Sequence, residues 1–125
     1  MRTTLQVNER LLPGEELRSA DGATALRFRD DGELVLVRAE AVTWTAGTRG
    51  RAPAGLRMQA DGDLVAYGAD DEVLWAVRNR ASALVVQDDG RLTLVDAGGE
   101  PRWTAEPPGD GDGGPLALTS FAVLL

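Results

Sequence analysis

Apolar and polar residues alternate in three short stretches of the chain, and each stretch folds back on an Asp-Gly pair. The first runs Leu26-Arg27-Phe28 before Asp31-Gly32 and Leu34-Val35-Leu36 after it. The second runs Leu56-Arg57-Met58, Asp61-Gly62, Leu64-Val65-Ala66, and the third Leu84-Val85-Val86, Asp89-Gly90, Leu92-Thr93-Leu94. Period-two alternation sets Leu26, Phe28, Leu34 and Leu36, and their counterparts, on one face of a ribbon. Asp-Gly between two such runs predicts a β-hairpin, because glycine accepts the positive φ of a primed turn. A tryptophan follows each pair at a near-constant offset (Trp44, Trp75 and Trp103), inside short strands predicted near 42–44, 73–75 and 101–103.

The unit is therefore repeated three times. A unit of two or three strands cannot bury its own apolar face, so the three must pack together. The expectation is an all-β fold in which three sheets surround an axis as a prism, with the tryptophans filling its middle. Indoles can also stack on sugars, but these recur in phase with the apolar face, which assigns them to the core. Residues 11–17, Leu-Leu-Pro-Gly-Glu-Glu-Leu, read as a turn between two short strands that complete the prism.

Composition narrows the chemistry. At 125 residues the chain is long enough for one domain with its own core. It has neither cysteine nor histidine, so disulfides, thiolate metal sites and His-based catalysis have no material. No metal or other cofactor is expected. Twenty acidic residues face 13 basic ones, a net charge of −7, the wrong sign for gripping nucleic acid. All the basic residues are arginine, which reads as the codon bias of a GC-rich bacterial genome. The first residues contain no apolar core of a Sec signal peptide, and no run is long enough to span a bilayer. A cytoplasmic location, or release by a non-classical route, is the expectation.

Three segments follow: a prism over 1–106, a Gly/Pro/Asp linker over 107–115, and an apolar tail over 116–125. The linker's Asp-Gly-Asp-Gly run lacks the spaced ligands and closing glutamate of a calcium loop. A β-prone tail suits a sheet edge, in its own protomer, a homodimer partner or another protein.

The middle repeat, Gln59-Ala60-Asp61-Gly62-Asp63-Leu64-Val65-Ala66-Tyr67, resembles the Gln-x-Asp-x-Asn-x-Val-x-Tyr motif of the bulb-type (monocot-type) mannose-binding lectins. The likeness covers roughly residues 5 to 106, including the opening Leu-x-Pro-Gly-x-x-Leu turn. It implies a β-prism II fold, three four-stranded antiparallel sheets with pseudo-threefold symmetry. It also implies that Gln59, Asp61, Asp63 and Tyr67 hydrogen-bond a mannose-containing glycan while Val65 touches the sugar carbons. Such a fan is chemically sensible, since sugar hydroxyls both donate and accept.

Departures from the motif follow. Asp63 stands where the family has Asn, so it accepts but cannot donate, and it lies near a second carboxylate. The first repeat offers Arg29, Asp31, Glu33, Val35 and Val37, and the third Gln87, Asp89, Arg91, Thr93 and Val95. Each lacks three motif residues. An unpaired buried sugar hydroxyl costs about 1–3 kcal/mol, so both are expected to be dead for mannose. The family's common disulfide is absent.

Two other readings share the fold: a structural or protein-interaction module that binds no sugar, and a bacteriocin-like antibacterial lectin, whose relatives usually join two prisms in one chain. An enzyme is not expected. The pairs Asp30/Asp31, Asp70/Asp71 and Asp88/Asp89 fall in or beside turns, and neighbouring residues on a strand point opposite ways.

Overall fold

The computed structural model describes residues 2–105, so the expected linker and tail lie outside the described residues. The three repeats form three antiparallel sheets. β4 (Thr24–Phe28), β5 (Leu34–Arg38) and β6 (Ala41–Thr45) make the first, and β7 (Pro53–Met58), β8 (Asp63–Gly68) and β9 (Val73–Arg78) the second. β10 (Ala83–Val86), β11 (Leu92–Val95) and β12 (Pro101–Ala105) make the third.

Each sheet gains its fourth strand from the N-terminal segment. β1 (Thr4–Gln6) joins the third repeat, β2 (Arg10–Leu11) the second and β3 (Glu16–Arg18) the first. The turn at 11–17 thus connects two different sheets, and one short segment visits all three. Leu5, Leu11 and Leu17 stand opposite Leu84, Leu56 and Leu26, and all six are fully buried. The result is the β-prism II arrangement.

The centre is built mostly of leucine. Phe28, Met58 and the paired leucines are fully buried, whereas Trp44, Trp75 and Trp103 are half-buried and packed against them. The indoles meet edge to face with ring centroids 5.5, 6.0 and 5.7 Å apart, a nearly equilateral triangle about the pseudo-threefold axis. Their strands are the outer strands of their sheets, opposite Leu36, Ala66 and Leu94. They cap the leucine core instead of filling it, because an edge strand leaves one side of the ring to solvent. Each edge-to-face pair contributes about 0.5–1.5 kcal/mol beyond its buried area.

The hairpin turns also depart from the sequence expectation. Gln59 N–H donates to Asp63 O at 2.9 Å and Gly62 N–H to Gln59 O at 3.0 Å. Gly62 has φ 94° while Asp61 keeps a negative φ. That is a three-residue loop, a type I turn closed by a left-handed glycine, and not a two-residue primed turn. The aspartate makes it work. Asp61 Oδ1 accepts Asp63 N–H at 3.0 Å, and Asp31 and Asp89 repeat the bond to Glu33 and Arg91. A Cβ on Gly62 would lie 2.5 Å from Arg80 Cα, so the turn needs glycine for space as well as for φ.

Leu11→Ala should remove about 2–5 kcal/mol of stability in equilibrium urea unfolding. A loss below about 1 kcal/mol would mean that β2 does not hold the second sheet to the core.

Candidate functional site

The outward-facing residues of the second sheet form one strip. β8 alternates Leu64 and Ala66 inward with Asp63, Val65 and Tyr67 outward, and the loop bond between Gln59 and Asp63 brings Gln59 alongside. With its amide nitrogen turned toward the phenol, Gln59 Nε2 donates to Tyr67 Oη in a short hydrogen bond. That leaves Gln59 Oε1 as an acceptor and the Tyr67 hydroxyl hydrogen as a donor. The free oxygen of Asp61 adds a second acceptor, its other oxygen being committed to the turn. Val65 lies in the floor at 2% exposure, between Arg57 and Ala76 on the flanking strands.

Asp63 has a partner that sequence reasoning missed. Arg78, directly opposite on β9, donates from Nη1 to Asp63 Oδ2 at 2.8 Å. The carboxylate is largely covered while the guanidinium stays exposed. Asp63 alone cannot donate, but the Asp63–Arg78 pair can, because the guanidinium retains unused N–H groups. The same cation offsets the repulsion between the neighbouring carboxylates. No sequence motif signals Arg78, since its place depends on the β8–β9 register, which shifts at Ala66/Tyr67.

The other two faces have the same backbone but different side-chain commitments. In the first repeat Arg29 pairs with Asp31 at 2.6 Å, and Glu33 Oε1 accepts Thr48 N–H at 2.7 Å. Val35 is buried and Val37 half-buried. The backbone N–H of Glu33 and the Arg29 guanidinium hold Asp31 below the ordinary carboxylate range. A groove of about 770 Å³ lies over this face, lined in part by Arg18, Ala25, Arg29, Val37 and Val42. Two of its arginines, Arg18 and Arg27, are tied to Glu16. Burial alone would raise the Glu16 pKa, but bonds from Arg27 and Arg18 outweigh it and lower it. In the third repeat Gln87 Oε1 accepts the hydroxyl of the buried Thr93 at 2.8 Å. Asp89 closes its turn, Arg91 is exposed and Val95 half-buried. Of the three faces, the second holds both the Gln–Tyr pair and an ion pair with a free guanidinium edge. Among the described residues no acidic cluster is arranged to hold a metal.

Three equivalent sheets about a tryptophan triad, each with an outward strip of polar side chains, define a β-prism lectin fold. No protein-family model and no curated protein sequence matches the chain. Solved structures do. A lectin from Mycobacterium smegmatis, described as a domain-swapped dimer, is 35% identical, covering 82% of this chain and 97% of its own, with a TM-score of 0.52. A monomeric monocot mannose-binding lectin from Gastrodia elata is 27% identical over 82% of this chain and 94% of its own, with a TM-score of 0.73. The Marasmius oreades lectin is 25% identical over 84% and 91%, with a TM-score of 0.75. The chain belongs to the bulb-type mannose-binding lectin family.

The lowered pKa values of Glu16 and Asp31 have a sign consequence. The stability they add is fully present above the unfolded carboxylate range and is lost as pH falls through the lower, folded values. The thermal midpoint should therefore drop on acidification through that range. A midpoint that is flat from neutral to strongly acidic pH would contradict these pairings.

Proposed function

We propose that the outer face of the second sheet is a binding site for mannose-type sugars and that the protein acts as a non-catalytic carbohydrate-binding module with this one competent site. Gln59, Asp61, Asp63, Tyr67 and Arg78 hydrogen-bond the sugar hydroxyls, and Val65 underlies its carbons. The observation that carries the reading is the Gln59–Tyr67 bond beside the Asp63–Arg78 pair. Together they present acceptors and donors on one exposed strip. The faces around Val37 and Val95 do not bind mannose, because each lacks three motif residues, the tyrosine among them.

A single shallow site of this kind binds on the order of millimolar. Calorimetric or NMR titration with methyl α-mannoside should give one site per chain. Tyr67→Phe removes one donor and should weaken binding about fivefold, in line with about 1 kcal/mol per hydrogen bond. No response in the wild type, or one unaltered by both Tyr67→Phe and Gln59→Ala, sinks the assignment.

Weak sites become useful through multivalency. The apolar segment 116–125 is the element that joins two prisms, a role supported by its composition and by the dimeric mycobacterial relative. Light scattering should give a dimer mass for the full chain and a monomer mass for a chain ending at residue 106. Equal subunit numbers for the two would remove the tail from assembly.

A further inference from the structure

The pseudo-threefold repeat supplies an internal control for every position on the outer faces. Consider the row that crosses each sheet at the motif valine or its equivalent. In the first sheet it runs Glu16, Arg27, Val35, and in the third Thr4, Val85, Thr93. In the second sheet it runs Arg10, Arg57, Val65.

The first of these rows is neutralised internally, with Arg27 Nε 3.0 Å from Glu16 Oε1. The third row is uncharged. The second sets two guanidiniums directly opposite each other, an arrangement that costs stability. Both arginines are exposed, and neither makes an ion pair among the described residues.

Each of the neighbouring acids spends an oxygen on another partner. Asp63 holds Arg78, Asp61 closes the turn, and Glu9 accepts Gln6 N–H at 2.8 Å. Arg2 Nη2 donates to the Arg10 carbonyl at 2.9 Å, but its charge is matched by Glu15, 3.4 Å from Nη1, so the uncompensated charge is that of Arg10 and Arg57. A chain with a net charge of −7 has acids to spare, yet this spot is left positive. It lies one and two strand spacings, about 5 and 10 Å, from Val65.

We propose that the site takes an acidic sugar, a hexuronate whose carboxylate is gripped by Arg10 and Arg57 while its hydroxyls meet the Gln59–Tyr67 and Asp63–Arg78 pairs. The ligand carboxylate fills the role that Glu16 plays on the first sheet. A guanidinium fork matches a carboxylate in two parallel bonds, and charge-assisted bonds are the stronger kind. This rests on the sugar-site reading above and adds the class of sugar.

The full chain is titrated at low salt with mannuronate, methyl α-mannoside and mannose 6-phosphate. Mannuronate should bind about tenfold tighter than the mannoside, and added salt should shrink that ratio. Arg57→Gln should bring the ratio close to one. So should Arg10→Glu, which installs the first sheet's ion pair on the second and should also raise the thermal midpoint. That rise shows the variant is folded. Equal affinity for mannuronate and mannoside, or a ratio that survives both variants, overturns the acidic-sugar proposal and leaves neutral-sugar binding intact. Phosphate preferred over carboxylate also overturns it, and absence of binding by all three sugars ends both readings.

Discussion

A four-stranded sheet with leucines on one face and polar residues on the other has nowhere to hide its apolar side except against another such sheet. Three sheets meeting at a common axis solve that problem only if nothing lets them slide apart. The N-terminal strands supply the restraint, because Leu5, Leu11 and Leu17 belong to one short segment but to three different sheets. Burying a leucine is worth about 1.5–3 kcal/mol, and here each burial also ties one sheet to the next. The indole triad then closes the core at the axis.

The turns interlock the same way. Gly50 N–H donates to Asp31 O at 2.7 Å and Ala81 N–H to Gly62 O at 2.8 Å, so the chain leaving one repeat packs on the turn of that repeat. At the third turn, contacts of this kind come from the first repeat. Arg38 Nη1 donates to Asp88 O at 3.0 Å, and Asp21 N–H to Asp88 Oδ1 at the same distance. The ring of contacts closes on itself, and at each junction Asp-Gly serves the turn's hydrogen bond and its positive φ, reasons unrelated to sugar. The motif aspartate is therefore present in all three repeats without marking three sites.

The outer faces are set by side chains that the fold does not need. The three outer faces share a backbone and differ in what their polar groups are already doing. On the first and third faces Glu33 Oε1 is held by Thr48 and Gln87 Oε1 by Thr93, and neither face has a tyrosine. On the second face hydrogen-bonding capacity points outward, with Asp63 and Arg78 together acting as donor and acceptor.

Much of this was legible in the residues alone. Period-two alternation, three Asp-Gly pairs and three phased tryptophans determined the all-β class, the repeat, the three sheets and the inward faces, because strand geometry converts spacing directly into sidedness. The candidate strip from Gln59 to Tyr67 was legible for the same reason, all of it lying within one hairpin. The tertiary structure decided whatever depends on contacts between distant segments. It placed one N-terminal strand in each sheet, left the indoles as a cap and made the turns three-residue loops. It also set Arg78 on Asp63 and Arg10 opposite Arg57. Register between strands far apart in the chain is chosen by packing the whole core at once, and alternation within a single strand carries no information about it.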